Sequence, residues 1–308
     1  MPLPRWFALV VLLIVFAGDS RRAEAQDIPP AGDENPFAEL ELPTIAVTIT
    51  NDAFTGVPPT LPAGRYLLSV TNEFSATDEE TEGAAFLRLP EGRSAADFIR
   101  EMAPAEPDAS GEEAVGSLPS WYGETTLAGG PYAFLGETAY AVVDLTAGEW
   151  ILWSEAPGAP QAPVPVTVTG KPPADPPAPT ADVTVELSDF AIDLSAPLHA
   201  GPQVIEVVNT GAQPHFVFIG EVPEGTTVDD AMTAFDAFFN AASVPADVFS
   251  FADTPELLGT GDQSPGTKVW YALDLPASTV VIACFMTDPE TGMLHATLGM
   301  TEIVVIEA

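Results

Sequence analysis

The chain of 308 residues holds one cysteine, Cys284, and three histidines. His295 follows Cys284 by eleven positions, Met300 follows His295 by five, and His215 stands upstream at the start of an apolar run. Two imidazoles, a thiol and a thioether are the soft donor set that suits one copper ion cycling between Cu(I) and Cu(II). Zinc usually takes four strong N, S or O donors, and a thioether is a poor fourth. Each residue has an ordinary reading too. A lone histidine at a loop–strand junction is commonly a hydrogen-bonded core residue, and a free cysteine commonly a small buried hydrophobe. The order His, Cys, His, Met in a chain so poor in His and Cys is what points to a metal.

The elements around these residues must bring them together. His215 follows the turn Asn209-Thr210-Gly211 and opens the apolar run Phe216 to Ile219. Cys284 closes the run Val280 to Ala283, and Met300 leads into the apolar stretch Glu302 to Ile306. A loop joining adjacent strands returns to the pole it left, so Cys284, His295 and Met300 converge if both runs are strands. A strand starting at His215 from that same pole completes the set. Met293 lies in the same loop and is a rival axial ligand to Met300. His199 stands in a turn and reads as an ordinary surface residue.

The local patterns are mostly β. Val183 to Leu187 alternates apolar and polar, and Val269 to Leu275 and Thr279 to Phe285 are rich in β-branched and aromatic residues. One helix is expected in each half. In the second, Thr227 and Asp230 form a capping-box-like pair, and Val228, Ala231, Met232, Phe235, Phe238 and Phe239 recur at helical spacing as a core-facing stripe. Ser94 to Met102 is the shorter equivalent. Many short strands between turn signals indicate an all-β chain of two sandwiches.

A proline-rich stretch, residues 171–181, reads as a stiff linker. It separates an expected first domain, 41–170, from a second, 182–308. The halves match in order and spacing. Leu61-Pro-Ala-Gly-Arg-Tyr-Leu-Leu-Ser-Val-Thr-Asn72 aligns with Leu198-His-Ala-Gly-Pro-Gln-Val-Ile-Glu-Val-Val-Asn209, Pro90-Glu-Gly92 with Pro223-Glu-Gly225, and Asp144 to Gly148 with Asp274 to Ser278. A tandem duplication is the expected cause. This alignment puts Ser154 opposite Cys284, and residues 26–170 contain no histidine, so the first half cannot form the same site. Trp150 and Trp153 are expected to pack its core.

Residues 1–25 read as a signal peptide: Arg5, an apolar core from Trp6 to Ala17, then Ala23-Glu24-Ala25, with cleavage expected between Ala25 and Gln26. Residues 26–40 are expected to be a disordered lead-in. No later segment is long enough to span a membrane. Outside the cytoplasm a lone cysteine is a buried thiol, an intermolecular disulfide or a metal ligand. The formal charge of −36 repels nucleic acid and anionic membrane. It favours a partner with a basic surface, or a salty medium. A monomer is expected. No Gly-x-Ser-x-Gly elbow, phosphate-binding loop or His-Glu-x-x-His is present. A Cys–His nucleophile pair is conceivable, but a carrier rather than an enzyme is expected.

Two stretches carry a family resemblance: Asn209-Thr-Gly-Ala-Gln-Pro-His215, and Cys284 with His295-Ala-Thr-Leu-Gly-Met300. They resemble the cupredoxins, the blue copper family of plastocyanin, azurin and rusticyanin. The resemblance covers residues 182–308, and the first half only as a fold. It implies tandem Greek-key β-sandwiches, one type 1 copper in the second, and one-electron transfer. His215, Cys284 and His295 would be the equatorial ligands and Met300 the weak axial one. Ten residues separate Cys284 from His295, where the family has only a few, and a longer loop costs more to order. A non-redox binding module of the same fold and a copper storage or delivery protein are the alternatives.

Overall fold

The computed structural model describes residues 35–74, 81–102, 121–154, 162–240 and 242–307. The expected signal peptide, with Ala25 and Gln26, lies outside them. The first half contains β1 (Thr44–Ile49), β2 (Phe54–Thr55), β3 (Thr60–Pro62), β4 (Gly64–Asn72), β5 (Thr81–Gly83), β6 (Ala85–Arg88), α1 (Ala95–Met102), β7 (Thr126–Leu127), β8 (Tyr132–Phe134), β9 (Thr138–Leu145), β10 (Gly148–Trp153) and β11 (Val164–Thr169). The second contains β12 (Val183–Ser188), β13 (Ala191–Leu194), β14 (Gly201–Asn209), β15 (Phe218–Val222), α2 (Val228–Phe239), β16 (Glu256–Gly259), β17 (Lys268–Leu275), β18 (Thr279–Ala283), α3 (His295–Leu298) and β19 (Thr301–Val305).

Each half is a β-sandwich, and the two halves share one layer. An eight-stranded sheet runs β13-β12-β14-β17-β9-β4-β1-β2. The junction is β17 against β9, with Trp270 opposite Val142 and Tyr271 opposite Ala141. The other layers are separate: β3-β11-β10-β6-β7 in the first half and β16-β15-β18-β19 in the second. Strand order is the same in the two halves, with β1, β4, β9, β6 and β10 standing where β12, β14, β17, β15 and β18 stand. The segment between the halves has no helix or strand. It lies against the first half, where Arg65 donates to the carbonyl of Pro177 at 3.2 Å.

Three expectations change. Residues 35–40 of the lead-in are ordered, because Phe37 buries its ring with Leu67 and Val142 of the first half and Trp270 of the second. Burying an aromatic ring in a cleft offsets the entropy of ordering a short segment. Val228 is 42% exposed rather than part of the core-facing stripe, since it opens α2 where the helix has not yet met the sheet. Among the described residues the second half holds, besides α2, a 3-10 turn at Phe251–Asp253 and a single α-turn, α3, at His295.

The remaining helix features follow their chemistry. Thr227 Oγ1 accepts from the Asp230 N–H at 3.2 Å, and Asp230 Oδ2 accepts from the Thr227 N–H at 2.9 Å. Phe235 is fully buried and stacks edge-on against Phe251 and Phe285.

Strand periodicity decides which way the chemistry-bearing residues point. β18 is buried along its whole length. Val280, Ile282 and Cys284 enter the core between the sheets. Val281, Ala283 and Phe285 face the cluster under α2. β15 splits the same way: Val217 and Ile219 are interior, while Phe218 lies under α2. His215, two residues before Val217, is therefore on the interior face.

Candidate metal centre

β15 and β18 are antiparallel neighbours, with Phe218 opposite Ala283. Just beyond that pair, His215 and Cys284 meet at one pole of the second sandwich. Asn209 sets the entry of His215. Its side-chain N–H donates to the carbonyls of Gln213 and Gln263 at 2.8 and 2.7 Å, and its Oδ1 accepts from Gly211. Asn72, its counterpart, does the same in the first half, bonding Ala133 and Phe74. The backbone of His215 is then tied to Gln263 in both directions. Gln263 also bridges to Ala128 of the first half, so the segment carrying His215, which precedes β15 rather than opening it, is braced by both halves.

The long connection from Cys284 to His295 is not a slack loop. Asp288 accepts from the Thr291 N–H and hydroxyl at 2.8 and 2.6 Å. The Asp288 N–H donates to the Met293 carbonyl, and the His295 N–H to the Met286 carbonyl at 2.7 Å. Residues 287–294 thus form a closed hairpin that stands off the pole and returns His295 to where a short loop would leave it. Met300 is fully buried in the core that includes Cys284, and the Cys284 N–H donates to its carbonyl at 3.2 Å. Met293 is 46% exposed on the hairpin.

His215, Cys284 and His295 are all buried, and their donor atoms lie within 4.8 Å of one another. His215 Nδ1 and His295 Nδ1 are 3.0 Å apart, and Cys284 Sγ is 3.8 Å from each. The outer edges of both rings are engaged. His215 Nε2 lies 3.1 Å from Asp189 Oδ1, and His295 Nε2 lies 3.1 Å from Gln213 Oε1. His199 is exposed, in the turn before β14, and is not part of this cluster. Ser154, at the Cys284 position of the first half, is buried with no histidine near it in sequence.

The partners fix the tautomers. A carboxylate only accepts, so Asp189 holds the His215 proton on Nε2. Gln213 Nε2 donates to Asp288 Oδ1 at 3.0 Å, which turns its Oε1 toward His295 and holds that proton on Nε2 as well. Both Nδ1 atoms then face each other with lone pairs, beside a thiol and away from water. Two lone pairs at 3.0 Å repel unless a cation lies between them. In the plane of the three donors, a point about 2.0 Å from each nitrogen falls about 2.2 Å from Sγ, close to ordinary metal–imidazole and metal–thiolate lengths. A trigonal His, His, Cys set with a methionine alongside is the pattern of blue copper.

The donor set is that of a cupredoxin-type copper site.

No protein-family model matches the chain, and no curated protein matches it. Among solved structures it is similar to reduced auracyanin from the photosynthetic bacterium Roseiflexus castenholzii, with 23% identity, 42% of this chain and 100% of that one covered, and a TM-score of 0.28. It is similar also to auracyanin A, a "blue" copper protein from Chloroflexus aurantiacus, with 20% identity, 41% and 98% covered, and a TM-score of 0.26. A multicopper oxidase from Aquifex aeolicus matches over both halves, with 12% identity, 87% and 67% covered, and a TM-score of 0.26.

The electrostatics of the cupredoxin-type site suit a cation. Burial pushes His215 below its ordinary value against the opposing pull of Asp189. Burial, and then the His215 charge, push His295 down to about 4. Both rings are therefore neutral donors at pH 7. Burial pushes the Cys284 thiol up to about 12, although backbone N–H groups of Phe216 and Met286 bond the sulfur and favour the thiolate. A metal must expel that proton, and a metal supplies the charge that makes expulsion favourable. Asp189 would be raised by burial, but hydrogen bonds from the Ala212 N–H, His215 and the Gln213 N–H hold it below the usual carboxylate range.

Sequence reasoning missed Asp189, Gln213, Asp288, Gln263 and Asn209 as site residues. Asn209 had a signal, its match to Asn72 across the repeat. Asp189 and Asp288 had none: in a chain with 45 acidic residues, their contacts with Gln213 and His215 are visible only in the fold.

Proposed function

We propose that the protein is an exported one-electron carrier with a single copper site in its second half, where His215, Cys284, His295 and Met300 would hold the ion. The observation that carries this reading is the pair of Nδ1 lone pairs facing one thiol at a buried pole. Copper, when bound there, supplies a one-electron couple.

The chain's own residues do the rest. His215 and Cys284 stand just outside the paired strands β15 and β18, and His295 opens α3, so the surrounding hydrogen bonds hold the three donors and their positions change little between oxidation states. Asp189 and Gln213 fix the ring orientations and raise the basicity of Nδ1. Half-buried Phe216 packs against the core that includes Cys284 and helps to exclude water from the thiol. A metal centre that turns over a substrate keeps an open position, and rings exposed by 0% and 1% leave little room for one. The same closure argues for slow metal exchange and against copper delivery. Asp189 and exposed Glu290 lie near the ligands in the fold, and acidic side chains there suit a redox partner with a basic surface. Among the described residues no helix is long and apolar enough to cross a membrane.

Voltammetry of the copper-loaded protein tests the reading. A single reversible one-electron wave supports it. A copper-loaded protein with no reversible wave overturns it in favour of storage.

A further inference from the structure

The tip of the β12–β13 hairpin is a two-residue loop, Asp189-Phe190, closed by the pair Ser188 and Ala191. Phe190 adopts φ +66°, the left-handed region that bulky side chains avoid and that glycine or asparagine fills at little cost. Among the described residues only Glu41 shares this feature outside glycine. The matching hairpin of the first half, β1–β2, spans residues 50–53 with no positive φ. The strained, tight turn belongs to the half that carries the ligands.

Both loop residues bear on those ligands. The Asp189 carboxylate takes the His215 Nε2 proton and the N–H groups of Ala212 and Gln213 at 3.0 and 3.1 Å. The Phe190 ring stands edge-on to the His295 ring, with centroids 5.5 Å apart and planes at 82°. The carbonyl of Phe190 is covered by Gly299, where an added Cβ would sit 2.5 Å from the oxygen. The turn is thus clamped by the 212–213 loop on one side and by the residue before Met300 on the other. Strain retained at one site and absent from its counterpart marks a constraint imposed by function.

We propose that Phe190 is a positioning residue that closes the metal pole, shielding the His295 imidazole from solvent and from small ligands, at the cost of an unfavourable backbone conformation. The proposal rests on the copper reading only for its consequence, since the shield itself is testable without metal.

The test uses Phe190→Gly, Phe190→Ala and Phe190→Tyr in the full chain. Metal-free protein is treated with diethylpyrocarbonate, and modification is read at each histidine by mass spectrometry, with exposed His199 as the internal reference. His295 is expected to react slowly in the native protein and Phe190→Tyr. It should react about 2–10-fold faster in the Gly and Ala variants, the effect of losing one aromatic contact. Phe190→Gly is expected to melt above Phe190→Ala, the reverse of the usual order, because glycine relieves the strain. Copper-loaded Gly and Ala variants should bind azide with a spectral change that the native protein does not show. Equal His295 reactivity in all four proteins, or Ala melting above Gly, overturns the proposal. Failure of every form to take up copper would sink the proposed function and leave the reactivity and melting results to decide the shield.

Discussion

Met286 and His295 are joined by one backbone hydrogen bond, His295 N–H to Met286 C=O at 2.7 Å. That bond closes the base of the 287–294 hairpin. It lets a chain with ten residues between Cys284 and His295 present the same ligand pair as a much shorter loop. The ordering entropy expected of a long connection is met inside the hairpin by Asp288, which is 2% exposed.

Asp288 should therefore matter twice. Asp288→Ala removes the bonds to Thr291 and frees Gln213. We expect a loss of about 1–3 kcal/mol in stability, typical of a buried network losing one partner. Copper affinity should also fall by about 10–100-fold, as for other groups that orient a metal-binding histidine. Thermal melting and competition with a chelator measure the two effects. An unchanged affinity would show that the hairpin does not hold His295.

Asp189→Ala should leave the three donors in place but release His215 Nε2. The expected result is a copper affinity lower by about 10–100-fold with a smaller change in metal-free melting than Asp288→Ala gives, because Asp189 is at a half-exposed turn. Chelator competition reads the first quantity, calorimetry the second.

The pH dependence has a definite sign. His295 is held at about 4 in the folded metal-free chain, against about 6.5 for an unperturbed histidine. As pH falls the unfolded chain binds its proton first. The stabilising contribution is complete above about 6.5 and is lost as pH falls through about 4. Melting temperature of metal-free protein should drop across that window, and His295→Asn should drop less steeply. A parallel slope in the variant would contradict this.

Copper binding near pH 7 should release a proton. The Cys284 thiol, held at about 12 by burial, is protonated before binding, while both imidazoles are neutral. Titration in weak buffer with a pH indicator should give one proton per copper, and none with Cys284→Ser. Zero release from the native protein would mean the thiol is not a ligand.

The shared sheet predicts cooperative unfolding. Trp270 and Val142 face each other across the β17–β9 junction, Phe37 covers both, and Gln263 bridges Ala128 to His215. Scanning calorimetry should give one transition for the two halves. Two separated transitions would show that the halves fold independently.

Much of this was legible in the residues. The strands from Val183, Val269 and Thr279 announce themselves by β-branched and aromatic content, and the Thr227–Asp230 cap by its spacing. The ligand set stood out because His and Cys are so scarce. What the chain did not show are the relationships made only by folding. The pairing of β9 with β17 has no local signature, since an edge strand and an interior strand of a buried sheet read alike. The hairpin at 287–294 looked like extra length because its closure depends on one aspartate among many. Phe190 gave no sign at all: its backbone strain is a property of the tertiary clamp on a turn that sequence alone would assign to glycine or asparagine.

The central claim is most directly tested by adding Cu(II) to the purified metal-free protein and following visible absorption. One copper per chain, with an intense thiolate-to-copper charge-transfer band that is absent in Cys284→Ser, is the predicted result. A protein that stays colourless and takes up no stoichiometric copper would contradict it.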